Sequence, residues 1–496
     1  MIKLIKNMYS QIKLTVKGYS KHFEEISSSK GLNENVYNSN IETTSDDTFF
    51  CSKAGVFQGE SLSPFLFSMF INDIGDYINS AHEVGVPLES CLLSMVLFAD
   101  DMAVFSLTRE GLQNGIDCLN EYCVRWGLSV NVEKTKCVAF KKGGKIACLD
   151  QWTYNGNAIE TVNQFKYLGF VLGSSGTFNK GIDMILTKSQ RALFSLKTIF
   201  HRNPEMDIRT KINLFNTLVI PVLTYGCEVW GFCKAEQLER FYLGFLKSIL
   251  CVRKTTPSSF IYNELGLFSL SITRQIRIMK YWLRIINMSN KNPVKIVYNE
   301  LIKVQESNEN IQNWTSLLKD LLFKNGFGNV WIEQNVSDPK SFLIAFETRI
   351  KDIFVQNNNT LIQDVSEHRL FRHIDHPHIL ASYLSFISED YVRIALSRLR
   401  LGSHNLMIER GRWEKPKRLF RNRLCEVCNE IEDEYHVIFK CSRYSDIRGK
   451  YIGKSIVKKP SMFKLINLIE SEDYVVVRKL GLFCHFAFKR YDSSFI

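Results

Sequence analysis

The sequence predicts an α+β protein: a small antiparallel sheet with helices, then a long all-helical region, then a compact Cys/His module. Three observations predict this class. Short apolar runs bounded by turn residues fill the first third of the 496 residues, and apolar residues recur at helical spacing through the middle. Four Cys and His side chains then lie close together near the C-terminus.

The composition favours a globular protein with a polyanionic partner. Hydrophobic residues make up 45% of the chain, enough for two to four domains. Lys and Arg total 63 against 51 Asp and Glu, which gives a net charge of +12. Such a balance favours nucleic acid as a partner if the charge is clustered, and indicates only solubility if it is scattered.

Cysteine usage and the N-terminus bear on the compartment. Thirteen cysteines without a regular framework indicate a reducing environment. Charged residues interrupt the stretch 1–6, so it is not a secretory signal, and the apolar run 92–99 is too short to span a bilayer. We therefore expect a cytoplasmic or nuclear protein that is not secreted and has no membrane partner.

Two adjacent carboxylates, Asp100 and Asp101, stand at the tip of a predicted β-hairpin. Apolar residues 91–97 lead into it, and residues 102–105 lead out. Carboxylates at such a tip either face water or hold a cation. From the hairpin alone, both alternatives remain open for Asp100 and Asp101.

The segments on either side of the hairpin have their own signals. Upstream, the Gly-rich stretch 55–67 runs into a helix beginning near Pro64, with Ser63 as its predicted N-cap. Downstream, apolar residues at helical spacing cover 112–126, followed by the segment 127–136 and a short strand over 137–140.

In this order the segments resemble the palm of the reverse transcriptases of non-LTR (LINE-type) retrotransposons. That family carries a Gln-Gly…Leu-Ser-Pro loop, an aromatic-Ala-Asp-Asp hairpin and a Gly-Leu…Asn…Lys-Thr-Lys segment. The resemblance implies part of a right-hand polymerase palm, RNA-directed DNA polymerase activity with Mg²⁺ and dNTPs, and RNA and DNA as partners.

The resemblance also assigns roles to individual residues. Asp100 and Asp101 would bind Mg²⁺, and because successive strand side chains point to opposite faces, Asp100 would be the ligand and Asp101 its neighbour. Lys134 or Lys136 would protonate pyrophosphate, and Gln58, Gly59 and Phe98 would lie near the template and nucleotide. Two of these residues have simpler interpretations. The residues themselves favour a surface lysine beside a strand for Lys136 and core packing under the turn for Phe98.

One part of the family pattern is missing from the sequence. Relatives carry a first catalytic aspartate on an earlier strand, whereas no aspartate precedes Asp46 here, and the stretch 4–9 resembles the helix that follows that strand. Phe57 and Glu60 also depart from the family's basic and small residues. The sequence therefore predicts an N-terminally truncated element, inactive alone: a degenerate copy, a partial gene model or a piece of a polyprotein.

Beyond the palm, Asn155-Gly156 predicts a hairpin turn, and 165–172 predicts a strand resembling the primer grip. Helical periodicity covers 182–196, 208–230, 235–252 and 272–288, whereas Asn/Ser-rich stretches near 287–313 and 356–360 predict loops. The predicted domains are a partial palm (1–145), a primer-grip-like hairpin and helix (146–200), a helical thumb (201–290), a helical connector (291–409), a basic segment with a zinc knuckle (410–450) and a C-terminal helical segment (451–496).

The pattern Cys425-x2-Cys428-x7-His436-x4-Cys441 predicts a zinc knuckle. Thiolates and an imidazole at these separations can converge tetrahedrally on Zn²⁺, although chance spacing is the alternative. A module this small lacks the core to fold alone, so zinc would be structural.

A basic segment immediately precedes the knuckle. Its cations are interleaved with two aromatic rings, a combination typical of single-stranded nucleic-acid binding, with a solvated linker as the alternative. The candidate contacts are Arg410, Arg412, Trp413, Lys415, Lys417, Arg418, Phe420, Arg421 and Arg423.

These observations leave three hypotheses open. The first is a retroelement reverse transcriptase, and the second is a non-catalytic zinc-knuckle protein that binds nucleic acid and derives from a retroelement. The third is an inert product with neither property.

Overall fold

The computed structural model describes residues 13–16, 43–44, 47–51, 61–88, 91–140, 151–308, 311–364, 369–374 and 377–493. The chain forms two compact units. The first comprises residues 1–139 and 145–162, and the second comprises 140–144 and 163–496.

The first unit contains short strands and three helices in its described part. The helices are α1 (Ser63–Phe70), α2 (Ile74–Asn79) and α3 (Arg109–Trp126). The strands are β1 (Lys13–Val16), β2 (Thr43–Thr44), β3 (Asp47–Cys51), β4 (Val86–Leu88), β5 (Cys91–Leu93), β6 (Met95–Phe98), β7 (Asp101–Val104), β8 (Lys136–Cys137), β9 (Trp152–Tyr154) and β10 (Asn157–Thr161).

Most of these strands pair in antiparallel fashion. Strand β3 lies between β1 and β2, and β4 pairs with β5 and β6 with β7. Strand β10 pairs antiparallel with β9 and parallel with β8. Small antiparallel sheets with helices are thus present, as the predicted α+β class requires.

Helix α3 organises the core of this unit and confirms the helical periodicity of its sequence. Its N-cap, Thr108, accepts a hydrogen bond from the backbone N–H of Gly111, and Gly127 ends it at a φ of 65°. Its buried face packs in one cluster with Ile74 and Ile78 of α2. The predicted N-cap of α1 was wrong: helical hydrogen bonding already begins at the carbonyl of Leu62, and no side chain caps the helix.

The second unit begins with a hairpin, β11 (Gln164–Tyr167) and β12 (Phe170–Gly173), and then becomes helical. Its helices are α4 (Asn179–Arg202), α5 (Ile208–Leu218), α6 (Ile220–Leu223), α7 (Cys227–Trp230), α8 (Glu236–Ile249), α9 (Ser258–Leu265), α10 (Leu270–Ile286), α11 (Pro293–Ser307), α12 (Trp314–Lys324), α13 (Gly328–Glu333), α14 (Pro339–Asp364), α15 (Arg369–His373), α16 (Ser382–Phe386), α17 (Asp390–Arg400), α18 (Met407–Arg410), α19 (Ser445–Tyr451), α20 (Lys454–Val457), α21 (Met462–Ile469) and α22 (Tyr474–Ser493). A π-helical turn covers His436–Lys440, and 3₁₀ turns cover Phe420–Asn422 and Ser442–Tyr444.

One continuous hydrophobic cluster joins distant parts of this unit. It runs from Ile182 in α4 to Tyr491 in α22 and includes Cys425 and Cys441. Helices α17 and α22 approach closely because Gly481 has no side chain: a Cβ there would lie 2.4 Å from Val392 Cγ1. The Cys/His segment therefore shares its core with the helices around it.

Two sequence predictions for this unit need correction. Residues 293–307 form α11, and 356–360 lie inside α14, where loops were predicted. Asn358 is buried there and donates from Nδ2 to the carbonyl of Ser259 at 2.9 Å, so a tertiary hydrogen bond replaces the turn that asparagines favour. The single strand predicted over 165–172 is instead a hairpin, β11 and β12.

Of the helices that the structure describes, none is both long enough and apolar enough to cross a membrane.

Candidate metal centres and nucleic-acid interface

The predicted Asp-Asp hairpin is present. Phe98 pairs with Asp101, so Ala99 and Asp100 form a two-residue turn between β6 and β7. Ala99 has a φ of 52°, a backbone conformation that residues with a side chain rarely adopt. Both carboxylates are exposed to solvent. Exposed carboxylates are hard oxygen donors, the kind of ligand that Mg²⁺ takes.

The apolar end of this hairpin is exposed as well. Phe98 is 63% exposed, and Val96 and Leu97 are also solvent-accessible. The interpretation of Phe98 as core packing was therefore wrong. Gln58 and Gly59, the other predicted template contacts, lie outside the described residues.

Lys136 lies on β8, where its ammonium is anchored within its own sheet. Nζ is 2.7 Å from Oε2 of Glu160 on the neighbouring strand β10, and it donates to the carbonyl of Glu133 at 2.6 Å. The described contacts of Lys136 thus run to these two residues and do not connect it with the Asp-Asp turn.

The four predicted zinc ligands converge in the second unit. One ligand atom from each of Cys425, Cys428, His436 and Cys441 lies within 4.8 Å of all the others. The sulfur of Cys441 is 3.8 Å from each of the other two sulfurs. Tetrahedral Zn–S bonds of ~2.3 Å separate two sulfurs by about 3.8 Å, so the cluster has the dimensions of a zinc site.

Two local structures bring these ligands together. Cys425 and Cys428 lie in a tight turn in which the N–H of Cys425 donates to the carbonyl of Glu430 at 2.7 Å, and the N–H of Asn429 donates back to Cys425 at 2.9 Å. The π-helical turn carries His436, and the N–H of Cys441 donates to the carbonyl of His436 at 2.8 Å. The wider π turn directs both ligands toward the first pair.

Burial of the cluster favours the neutral form of two of its thiols. Burial raises the pKa of Cys441 to about 12 and raises that of Cys425, whereas the backbone N–H of Ser442 lowers the pKa of Cys428. A buried thiol of this kind ionises at neutral pH only with a positive charge against it, which a metal ion supplies.

His436 is suited to metal binding by its surroundings. It is buried, neither ring nitrogen has a hydrogen-bond partner among the described residues, and Nδ1 lies 3.4 Å from Oε2 of Glu430. A carboxylate facing one nitrogen leaves the other for a metal and orients the ring. Burial lowers the pKa of His436, which favours the neutral, ligating form.

Sequence reasoning missed Arg448, which supports the second half of the cluster. Its buried guanidinium donates to the carbonyls of Ile438 at 2.8 Å, Cys441 at 2.6 Å and Val437 at 3.2 Å. These carbonyls end the π-helical turn, so Arg448 fixes the backbone that carries two ligands. No spacing rule points to such a residue, because its partners are backbone atoms.

The structure divides the predicted basic segment into buried and exposed members. Arg412 is buried and ion-paired with Glu409 at 2.7 Å. Arg423 is also buried and donates to the carbonyls of Ile408 at 2.9 Å and Arg418 at 3.2 Å. These two side chains stabilise the fold of the segment and do not face a ligand in solution.

The remaining members of the segment are accessible. Arg410 and Arg418 both contact Glu414, so one carboxylate serves two guanidinium groups. Trp413 is 52% exposed. Also exposed are Lys415, Lys417, Phe420 and Arg421.

Comparison with known proteins shows that the first third of the chain matches a family model. Residues 5–172 match the model described as "Reverse transcriptase (RNA-dependent DNA polymerase)". This stretch includes the Asp-Asp hairpin and both flanking helices. It therefore carries a reverse transcriptase domain.

Curated relatives agree with this match. The chain is 26% identical over 194 residues to the RNA-directed DNA polymerase from mobile element jockey of Drosophila funebris, covering 38% of this chain and 20% of that protein. It is 27% identical over 196 residues to the probable RNA-directed DNA polymerase from transposon BS of Drosophila melanogaster, covering 38% and 21%. The matched part thus spans about a fifth of each relative, and the predicted resemblance to retrotransposon reverse transcriptases is confirmed.

Proposed function

We propose that this chain serves RNA-directed DNA synthesis by a retrotransposon, with Asp100 and Asp101 as ligands of catalytic Mg²⁺. The observation that supports this is the two-carboxylate turn inside the stretch matched to reverse transcriptases. Asp100 and Asp101 would hold Mg²⁺, which would supply activation of a primer 3′-oxygen and stabilisation of the pyrophosphate that leaves a dNTP. The constrained turn at Ala99 holds the donors in place.

Lys136 has a secondary place in this proposal, as a proton donor to pyrophosphate. Its ammonium is held by Glu160, so donation requires that ion pair to open. Gln58, Gly59 and Phe98 are proposed as template and nucleotide contacts on the family resemblance alone.

In the second unit, we propose that Cys425, Cys428, His436 and Cys441 hold a structural Zn²⁺, and that the exposed part of the basic segment binds RNA or DNA. The sulfur separations and the burial of the donors support zinc. Exposed cations beside exposed aromatic rings support a nucleic-acid partner. The nucleus and cytoplasm are the compartments where such a protein would act.

A second candidate function is nucleic-acid binding without catalysis. It is favoured by the hydrophobic core of the helical unit, which includes Cys425 and Cys441 of the Cys/His cluster. Such a protein would retain salt-sensitive RNA binding and incorporate no nucleotides.

Primer extension on an RNA template, with Mg²⁺, dNTPs and the whole chain, separates the two. Incorporation by the wild type that is lost in Asp100→Asn would support catalysis by this chain, because an amide cannot replace a carboxylate ligand. Asp76→Asn, which changes another exposed aspartate of the same unit, is the matched control and should retain activity.

Activity that survives Asp100→Asn would contradict the catalytic assignment. A wild type that binds RNA and incorporates nothing would favour the second function.

A further inference from the structure

A cavity of ≈ 520 Å³ opens on the helical unit between two segments far apart in sequence. One wall is the loop that follows α8, and the other is the start of the basic segment. The lining residues are Arg253, Lys254, Thr255, Arg410, Trp413 and Glu414. Neither the zinc cluster nor the polymerase hairpin uses this cavity.

The α8 side of the cavity is rigidly held. The backbone N–H of Arg253 donates to Oγ of Ser403 at 2.8 Å, and its guanidinium donates to Oδ1 of Asn405. Arg398 donates to the carbonyl of Cys251 at 3.2 Å and so fixes the loop a second time. The backbone of this side and the Arg253 guanidinium are therefore in place before any ligand arrives.

The opposite side is a loop closed at its base. The N–H of Arg418 donates to the carbonyl of Gly411 at 2.8 Å, and the buried Arg423 binds the carbonyl of Arg418 from beneath. A Cβ on Gly411 would lie 2.9 Å from Arg423 Cγ, so only glycine allows this close approach. Trp413 is presented on the loop that this clamp closes.

Positive charge exceeds negative charge around the cavity. Partial burial lowers the pKa of Arg253, and Lys254 is exposed. Apart from the buried pair of Arg412 and Glu409, the nearby cations are Arg253, Lys254, Arg398, Arg410 and Arg418, and the nearby anions are Glu414 and Asp492. An anion entering the cavity would therefore be attracted.

Trp413 supplies a planar surface at the same place. Half of its surface is exposed, and the Arg412 guanidinium lies 5.7 Å from the ring centroid. A large aromatic ring left open beside cations is the combination that stacks an unpaired base while its phosphate is neutralised.

We propose that this cavity binds one nucleotide of a single-stranded polynucleotide, with the base stacked on Trp413 and the phosphate at Arg253 and Lys254. The inference rests on the proposed nucleic-acid function of the helical unit and narrows it to an unpaired strand. Bases paired in a duplex have no free face for the ring, so a duplex gains only the phosphate contacts.

Fluorescence anisotropy with the zinc-loaded whole chain tests this, using labelled oligo(U), oligo(dT) and a duplex of equal length. Trp413→Ala should weaken single-strand binding roughly 5- to 150-fold, the loss expected for one stacked base, and change duplex binding little. Trp413→Phe should restore most of the affinity. Phe463→Ala, at an exposed aromatic on α21, is the control and should change nothing.

Lys254→Gln should weaken the binding of the single-stranded oligonucleotides and of the duplex. For the single strands, it should lower the slope of log association constant against log salt concentration by about 0.7. If the base stacks on Trp413, Trp413→Ala should reduce the affinities for oligo(U) and oligo(dT) equally. A loss of affinity confined to one of them would identify RNA or DNA as the ligand. Unchanged melting temperature and zinc content show that each variant is folded.

Wild-type binding that Trp413→Ala leaves unaltered would overturn this site while the nucleic-acid function stands. Equal weakening of duplex and single strand would overturn base stacking. A wild type that binds no strand even at low salt would overturn both proposals.

Discussion

Asp446 and Arg490 form a two-pronged ion pair between helices α19 and α22. Nη1 and Nη2 of Arg490 each donate to one carboxylate oxygen of Asp446 at 2.7 Å, and Nη1 also donates to the carbonyl of Arg443. The guanidinium holds the pKa of Asp446 well below its ordinary value. A single side chain thus ties the C-terminal helix to the segment that follows the zinc ligands.

Replacing Asp446 by Asn should lower stability at neutral pH but not in acid. Because the pKa is lowered on folding, the carboxylate stabilises the fold above its unfolded-state pKa of ~3.9, and this contribution is lost as pH falls through the folded value. Urea midpoints of wild type and Asp446→Asn should differ at neutral pH and approach each other below about pH 3.

Comparing the two proteins at each pH cancels effects common to both, such as protonation of the thiol ligands. Glu472→Gln, at an exposed carboxylate of the same unit, should show no such difference. A gap between wild type and Asp446→Asn that widens in acid would contradict the assignment.

At the scale of elements, a glycine turn separates two short helices of the predicted thumb. Gly226 has a φ of 66° and lies between α6 and α7, and a Cβ there would touch only Trp230 at 3.7 Å. The periodic stretch 208–230 was predicted as one helical segment, but this turn and Pro221 divide it into three.

Gly226→Ala should destabilise the protein by about 1 kcal/mol, because alanine is strained at positive φ while space is available. Gly244 offers the matched control: it lies inside α8 with open space around its Cβ position. Gly244→Ala should stabilise by about 0.5–1 kcal/mol. Denaturant unfolding measures both, and a loss of stability in each would show that the local backbone argument fails.

Turn chemistry explains which elements could be predicted from the sequence. Asn155-Gly156 was predicted as a turn because both residues tolerate positive φ, and they have φ values of 47° and 77°. Leu168 also adopts a positive φ, 44°, which leucine rarely does. The hydroxyl of Tyr225 donates to its carbonyl, so a residue 57 positions away stabilises that turn. Such long-range support has no local signal.

The candidate site likewise has parts that local sequence signals predict and parts that depend on long-range contacts. Ligand spacing predicted the Cys/His cluster because a turn and a helical turn are local structures. The support from Arg448, and the walls contributed by Arg253 and Lys254, depend on tertiary packing and gave no motif.

At the scale of the whole molecule, the Cys/His cluster belongs to the largest hydrophobic core among the described residues. Cys425 and Cys441 pack in the same cluster as Phe483 and Tyr491 of α22. This differs from a freestanding knuckle on a flexible tail. Loss of a bound metal should therefore lower the stability of the whole helical unit.

Cys425→Ser should lose stoichiometric zinc and lower the melting temperature by at least roughly 5 °C, because structural zinc contributes folding free energy. Hydrogen exchange should show reduced protection in α22 as well as near the ligands. Cys251→Ser, at an exposed cysteine outside the cluster, should keep both zinc and stability. A metal-free Cys425→Ser protein with unchanged melting would contradict the structural role.

The burial of Arg412 and Arg423 limits how much of the protein's positive charge can contribute to binding a polyanion. Counterions are released from a strand only by cations that reach its backbone, so these two arginines add to the formal charge without adding to that release. Neutralising either should destabilise the segment, and in a variant that stays folded it should leave the dependence of the association constant on ionic strength unaltered. Lys415 and Arg421 are exposed to solvent. Each should contribute about 0.7 to the slope of the logarithm of the association constant against the logarithm of the salt concentration.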